Sequence, residues 1–359
     1  MVLSEIIINK IQNEGPVSFR DFMEMALYHP EQGYYTSEGE KIGPGGDFYT
    51  SPYCTSLFGQ MIARQIEEMW NAMDQQPFTI VEYGAGTGIL CRDILDELQQ
   101  RNKTMYEKLK YAIIEKSAAM REKERKIVSE KVCWHDDIRD IAPFVGCILS
   151  NELVDNFSVH QVVMKDELME VFVGYDNGFV ELLQPASDKL KDYLTQLGVV
   201  LPRGFRTEIN LEAAQWIGEM AAGLTKGYVL TIDYGYSSAN LYNESRSQGS
   251  IVCYHKHQVN YCPYDHIGRQ DITTHVNFSA LCHWGSKNGL ELSGFTNQSY
   301  FLLGLGLGAR AEKENSPGDN GRFLQNFLCD MGSKLKVLIQ HKGIAPQALS
   351  GLKFSRQRI

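Results

Sequence analysis

Apolar and polar positions along the chain follow two periods. Residues 3–13 and 18–26 place apolar side chains at three- and four-residue spacing. That spacing predicts two helices, with Gly15-Pro16 as the turn between them and Ser18 as the cap of the second. Another helix is predicted over 57–73. From Phe78 to about Ser150 short apolar runs alternate with helical stretches, as in strand–helix–strand units. A strand ending at Glu82 leads to a helix over 93–101, and further strands are expected at 111–115, 131–137 and 146–155. The rhythm then breaks. Residues 160–183 alternate every second position like antiparallel strands, with Asp176-Asn-Gly178 as a hairpin turn. Helices are predicted over 188–197 and 211–224, with a loop at 202–208 between them. Residues 227–235 resemble a fifth parallel strand, and a polar insertion runs on through Thr274. A helix at 276–288, a strand at 290–298, a short helix at 300–307, an exposed charged loop at 311–320 and a last strand at 334–340 complete the pattern. The fold class is α/β, with a Rossmann-like, mostly parallel doubly wound sheet, a helical N-terminal region and an inserted smaller subdomain. The expected segments are 1–76 (helical lid region), 77–156 (first part of the core), 157–206 (antiparallel insertion), 207–238 (core), 239–274 (substrate-side insertion) and 275–359 (end of the core).

The stretch Ile80-Val-Glu-Tyr-Gly-Ala-Gly-Thr-Gly-Ile-Leu-Cys-Arg-Asp-Ile-Leu95 carries the first chemistry. A strand ends in an acid, Glu82, and Gly84, Ala85, Gly86 and Gly88 form a G-x-G-x-G turn into an amphipathic helix. The spacing is neither G-x-G-x-x-G nor a phosphate loop, and no lysine follows to hold a β/γ-phosphate. An acid beside such a loop suits a ligand with an adenosine and a cationic amino-acid tail, which is S-adenosylmethionine. Taken alone, the loop fits a plain tight turn as well. Tyr111-Ala-Ile-Ile-Glu115 places a second carboxylate at the next strand end, where doubly wound folds grip ribose hydroxyls. Its alternative is a neighbour of the Ser117 helix cap. Asp136 and Asp137 end a third strand, where they contact the adenine or are simply solvated. Asn151, Glu152 and Asp155 stand at the tip of the fourth strand, where a nucleophile meets a methyl donor.

Composition narrows the class. With 359 residues, 43% of them hydrophobic, the chain can build one large core or two domains. A net charge of −9 argues against a nucleic-acid partner. The 8 cysteines include no C-x-x-C pair, so reduced thiols are the default. Cys253, His255, His257 and Cys262 fit no standard zinc spacing, and no metal is expected. No run is long enough to span a membrane. The start, Met1-Val-Leu-Ser-Glu-Ile-Ile-Ile-Asn-Lys, shows neither a signal nor a transit pattern, so a cytoplasmic location is expected.

An ordered set of motifs resembles the MidA-type S-adenosylmethionine-dependent methyltransferases across almost the whole chain. It comprises Tyr28-His-Pro-Glu-Gln-Gly-Tyr-Tyr35, Gly46-Asp-Phe-Tyr-Thr-Ser-Pro52, Glu82-Tyr-Gly-Ala-Gly-Thr-Gly88 and Ser150-Asn-Glu-Leu-Val-Asp155. Ile232-Asp-Tyr-Gly235, Gln270-Asp-Ile-Thr-Thr-His-Val-Asn-Phe278 and Gln298-Ser-Tyr-Phe-Leu-Leu303 continue it. The resemblance implies a class I methyltransferase core. It also implies a protein arginine side chain as acceptor, since the family's mitochondrial members serve respiratory complex I assembly. Two departures stand out. Family members carry Asp-Ala-x-Pro-Val after Asn-Glu-Leu, where this chain has Asp155-Asn-Phe-Ser-Val159, next to the acceptor side. Asn277 takes the place of an aspartate.

Methyl transfer from a sulfonium is an in-line displacement that depends on orientation. A guanidinium acceptor is held by one or two carboxylates that match its planar fork. Glu152 is the first candidate for that clamp, followed by Asp155 and Asp47, and Asn151 can orient the sulfonium through its carbonyl. Asp271 and His275 line the acceptor side or start a helix capped by Thr273 or Thr274. Tyr234 stacks on a substrate or packs in the core. The partner expected is a protein substrate, with a complex I-type subunit as the instance the resemblance suggests. The competing functions are an assembly factor that binds S-adenosylmethionine and acts by protein binding, and a small-molecule methyltransferase.

Overall fold

Strands buried on both faces read as nearly unbroken apolar runs, and Phe78–Tyr83 and Phe144–Asn151 do so at the middle of a largely parallel sheet. A computed structural model of the chain describes residues 1–128, 130–314, 327–355 and 359. By internal contacts it forms two compact units. One comprises Met1–Phe48, Val154–Trp216 and Gly235–His283; the other comprises Tyr49–Leu153, Ile217–Tyr234 and Trp284–Ile359.

In the second unit the strands lie in the order Glu291–Asn297, Leu335–Lys342, Leu224–Tyr236, Phe144–Asn151, Phe78–Tyr83, Leu109–Ile114, Val132–His135. Only Leu335–Lys342 runs antiparallel to its neighbours. The register pairs Tyr83 with both Ile114 and Ser150, and Asn151 with Ile232. Four strands therefore end together at one edge, and their tips carry the candidate residues. The helices Ser56–Asn71 and Ile89–Arg101 lay Ile62, Ile66, Ile94 and Leu98 on the same core as Ile80 and Ile113. Trp70 is fully buried there, and its indole N–H donates to the Gln76 carbonyl at 2.8 Å, so the polar handle of a large ring is satisfied.

The first unit holds an antiparallel sheet of His160–Met164, Leu168–Tyr175, Phe179–Pro185, Arg206–Ile209 and the short Val17–Ser18. Asn177, at φ +52°, makes the hairpin turn that Asp176-Asn-Gly178 predicts. The helices Leu3–Glu14 and Phe19–Tyr28 pack Ile7, Phe19 and Phe22 against Val171 and Val173. Ser18 caps the second of them by accepting from the Asp21 N–H. A three-stranded sheet, Val252–His255, Gln258–Asn260 and Asp271–Thr273, occupies what reads in sequence as a polar insertion.

Several elements differ from the sequence expectation. The loop expected at 202–208 contains the strand Arg206–Ile209, which pairs with His160–Val163. The helix expected from 276 begins at Phe278, because Val276 and Asn277 first pair with Gly235 and Tyr236. Its cap is Asn277, whose Oδ1 accepts the Ala280 N–H at 3.1 Å, and not Thr273 or Thr274. Thr273 lies in a strand, and Thr274 stands four residues before the helix with its hydroxyl directed to the Asp155 carbonyl, so neither caps it. Of the loop expected at 311–320, the helix Leu307–Glu314 takes the first four residues; the rest lie outside the described residues.

Candidate active site

The site in the second unit begins where Phe78–Tyr83 ends. The Gly84 N–H still donates to the Ile114 carbonyl at 3.0 Å, and the backbone then turns left-handed at Gly84, Gly86 and Gly88, with φ of +62°, +60° and +78°. Such angles are strained for L residues with a Cβ. At Gly84 a Cβ would also stand 2.7 Å from Leu153 Cδ1, at the tip of the neighbouring strand. Gly88 opens the helix Ile89–Arg101. The loop and the tip carrying Asn151 and Glu152 are thus direct neighbours.

Glu152 is held in the left-handed region at φ +52°, an unusual conformation for glutamate. Its N–H donates to the Ile232 carbonyl at 2.8 Å, and the Leu153 N–H donates to Asp233 Oδ2 at 3.1 Å. Asp233 is fully buried and clamps this turn, a role its place at the end of the fifth strand does not by itself announce. Glu152 Oε1 accepts the Ser51 N–H at 3.0 Å and the Asn151 amide at 3.1 Å, which leaves Oε2 for a ligand. Burial, reinforced by Asp233, pushes the Glu152 pKa to about 7 against these two bonds. Asn151 Oδ1 is buried without a hydrogen-bond partner among the described residues. Ser51 and Gln298, both buried and both within the quoted motifs, join through the Gln298 amide at 3.1 Å and so steady the Ser51 N–H.

The remaining cofactor-side acids divide by environment. Glu82 is buried and accepts the Tyr111 hydroxyl at 2.7 Å, and burial raises its pKa to about 7. Glu115 is desolvated and raised too; its Oε1 accepts the Ser117 N–H at 2.7 Å. Since a carboxylate has about four acceptor positions, capacity remains for a pair of hydroxyls. Ser117 caps the next helix itself, through its own hydroxyl. Asp136 is paired with Arg121 and its side chain is 86% exposed. Arg121, which no sequence motif singles out, also donates to the Glu115 and His135 carbonyls and so ties two strand ends together. Asp137 is gripped by Arg139 through two side-chain bonds of 2.8 and 2.7 Å, which holds its pKa near 2.

Asp47 and Asp155 belong to the first unit. Asp47 accepts the Tyr34 hydroxyl at 2.7 Å and the Lys256 N–H at 2.5 Å. Asp155 is buried, and its carbonyl accepts the Thr274 N–H at 2.8 Å. Tyr35 stacks on Tyr28 at 5.6 Å and donates to Asp271 at 2.8 Å. The His275 ring stands edge-on to Tyr236 at 5.1 Å. Tyr234, in the second unit, gives its N–H to Asp233 at 2.8 Å. Asn277 also accepts from Ser238 at 3.1 Å. Cys253 is buried, and His255 stacks on His266 at 4.2 Å while its Nδ1 meets the Arg269 carbonyl.

Burial and the Asp47 charge lift Asp271 to about 7. A carboxyl raised in the fold costs nothing while both states are protonated. The penalty grows as pH climbs from the unfolded value of about 4 and is complete above the folded value. Asp271→Asn, which keeps an acceptor for Tyr35, is expected to narrow the fall in Tm between about pH 5 and pH 8. An unchanged fall by scanning calorimetry would show that Asp271 is not held neutral.

The profile of the S-adenosyl-L-methionine-dependent methyltransferase family matches residues 61–296. The chain belongs to the MidA-type family of these methyltransferases. It is similar to the mitochondrial protein arginine methyltransferase NDUFAF7 of Mus musculus, 26% identical over 89% of this chain and 79% of the relative. The NDUFAF7 homolog of Drosophila melanogaster is 25% identical over 93% of this chain and 84% of its own length. A crystal structure of a Burkholderia thailandensis protein bound to S-adenosyl-homocysteine superposes with TM-score 0.89 at 29% identity, covering 98% of this chain and 95% of that one.

The cofactor of this methyltransferase is therefore S-adenosyl-L-methionine. The residues present fit it: a left-handed glycine cradle, a half-buried carboxyl at Glu115 and an open amide oxygen at Asn151. Glu115→Gln is expected to weaken S-adenosylhomocysteine binding about tenfold, since a hydrogen bond to a charged group is worth about 1.5–3 kcal/mol. Asp136→Ala should change it less than about threefold, as for other exposed ion pairs. Isothermal titration calorimetry on the two variants decides; the reverse order would place the adenine contact on Asp136.

Proposed function

We propose that this methyltransferase modifies an arginine side chain of a protein substrate, of the respiratory complex I subunit type, on a class I core that carries an inserted substrate-side subdomain. The observation that supports it is Glu152: a carboxyl held at φ +52° on a strand tip, beside the glycine loop, with one oxygen fixed and the other left for a ligand. When bound, S-adenosyl-L-methionine supplies an activated methyl group on a sulfonium. The chain's own residues orient the acceptor. An ionised Glu152 accepts from the guanidinium fork and balances the positive charge that gathers on the attacking nitrogen as it takes the methyl group. Asn151 presents its carbonyl toward positive charge, and its amide fixes Glu152. Asp233 keeps the turn from relaxing by holding the Leu153 N–H.

The test is transfer of labelled methyl from S-adenosylmethionine into lysate protein, followed by acid hydrolysis. Labelled methylarginine supports the proposal; label in other residues, or in small molecules alone, overturns it. One observation favours the second function, an assembly factor acting by protein binding. The strand Phe179–Pro185, which pairs only with Leu168–Tyr175 among the described strands, exposes Val180, Leu182 and Leu183. Such a strand edge accepts an added strand from a partner.

A further inference from the structure

Glu124 closes the helix Ala118–Glu124, and that helix lies against the glycine loop. A Cβ on Gly88 would stand 3.3 Å from Glu124 Cα and 3.1 Å from Val128 Cγ1. Glu124 is completely buried, at 0% exposure. Its Oε2 accepts the Trp134 indole N–H at 2.7 Å, while Oε1 has no hydrogen-bond partner among the described residues. Neither protonation state is complete: a carboxylate lacks a second donor, and a carboxylic acid lacks an acceptor for its proton. Buried polar atoms left this way call for a functional or ligand-linked explanation. The adjoining helix Ile89–Arg101 begins at Gly88, which has no side chain to cap its positive amino end.

We propose that Glu124 is a positioning residue of the cofactor site, acting through Gly88, and that its ionisation sets how tightly the loop holds the cationic cofactor. This rests on the glycine loop being the S-adenosylmethionine site. The groups that bear on Glu124 come from each element packed around it. Glu115, beyond the strand Leu109–Ile114, and Glu82, on Phe78–Tyr83, both oppose its ionisation. Arg121, on its own helix, favours ionisation, as does the Trp134 N–H. Cys91, on the glycine-loop helix, is itself raised by burial and, less, by Glu82 and Glu124. With burial the largest effect, Glu124 rises to about 8. A cation arriving at the loop reverses the balance, because opposite charge favours the ionised form. Binding then expels a proton. S-adenosylhomocysteine lacks the sulfonium charge, so the two ligands should differ.

The experiment is calorimetric titration of wild type and Glu124→Gln with both ligands, at about pH 6.5 and pH 8.5, in buffers of different ionisation heat. In wild type the preference for S-adenosylmethionine over S-adenosylhomocysteine is expected to grow several-fold with pH and to be accompanied by proton release. In Glu124→Gln, which can still accept from Trp134, both effects should shrink while Tm near pH 6.5 stays that of wild type. Undiminished proton release and an unchanged pH dependence in the variant would overturn the proposal. Should Gln fail to fold, Glu124→Asp serves: it should retain the proton release with weaker binding, and wild type without any proton release overturns the proposal alone. Wild type that binds neither ligand would sink the cofactor site itself, an outcome distinct from a silent Glu124.

Discussion

Glu152→Gln is expected to bind S-adenosylhomocysteine as wild type does and to lose methyl transfer by about 10²–10³, the scale on which removing one transition-state charge contact acts. The substitution is nearly isosteric. Its side-chain oxygen can still accept from the Ser51 N–H at 3.0 Å and from Asn151, so the strand tip should keep its shape. What disappears is the negative charge facing the guanidinium. Orientation is lost with it, since the amide oxygen stays with Ser51 and Asn151 and the position facing the guanidinium then carries an NH2 donor in place of an acceptor oxygen. Wild type should show a second signature. Because Glu152 titrates at about 7 and acts ionised, kcat/KM should rise with pH through that value and level off above it. The variant's residual rate should lack that rise. A variant with a wild-type rate, or one that no longer binds S-adenosylhomocysteine, would show that Glu152 is a structural cap and no clamp.

The parallel half of the fold is plain in the sequence because its signals are local. Strands buried on both faces are short unbroken apolar runs, and a glycine triplet between strand and helix admits few conformations. The same locality marks Asn151 and Glu152 as strand-tip residues, because the apolar run at 147–149 stops just ahead of them. Three things are not legible there. Asp233 clamps the Leu153 N–H across 80 residues of chain, and no spacing rule reports that distance. Ser51 serves Glu152 through its backbone N–H, which leaves no trace in residue type. Asn277 caps the helix Phe278–Lys287 although two threonines precede it, because strand pairing with Gly235 and Tyr236 delays the helix start. Propensity places a cap, but tertiary pairing chooses which residue is used. Asp136 and Asp137, which the sequence leaves as either adenine contacts or solvated loop acids, each face an arginine.

Gly84→Val is expected to weaken S-adenosylhomocysteine binding by at least about 100-fold, since misplacing a positioned group by about 1 Å costs that much. Two effects combine at this residue. At φ +62° a β-branched side chain is strained, by about 1–2 kcal/mol from the left-handed backbone alone, and more from its second γ-carbon. Its Cβ would also come within 2.7 Å of Leu153 Cδ1. Leu153 has a flexible side chain and can yield, but it adjoins Glu152, and yielding moves the clamp's neighbour. The loop has a second way out, a change of backbone region at residue 84, which would break the Gly84 N–H bond to the Ile114 carbonyl. Either relaxation disturbs the site more than the fold, because the sheet's core packing lies below the loop. Calorimetric titration beside a thermal melt separates the two. Gly84→Ala, with the same φ but no γ-carbons, should fall between wild type and valine in affinity. Binding by Gly84→Val within about threefold of wild type would mean that the cofactor does not depend on the loop's left-handed turn. In that case the cofactor would have to be held mainly by Glu115 and the strand tip.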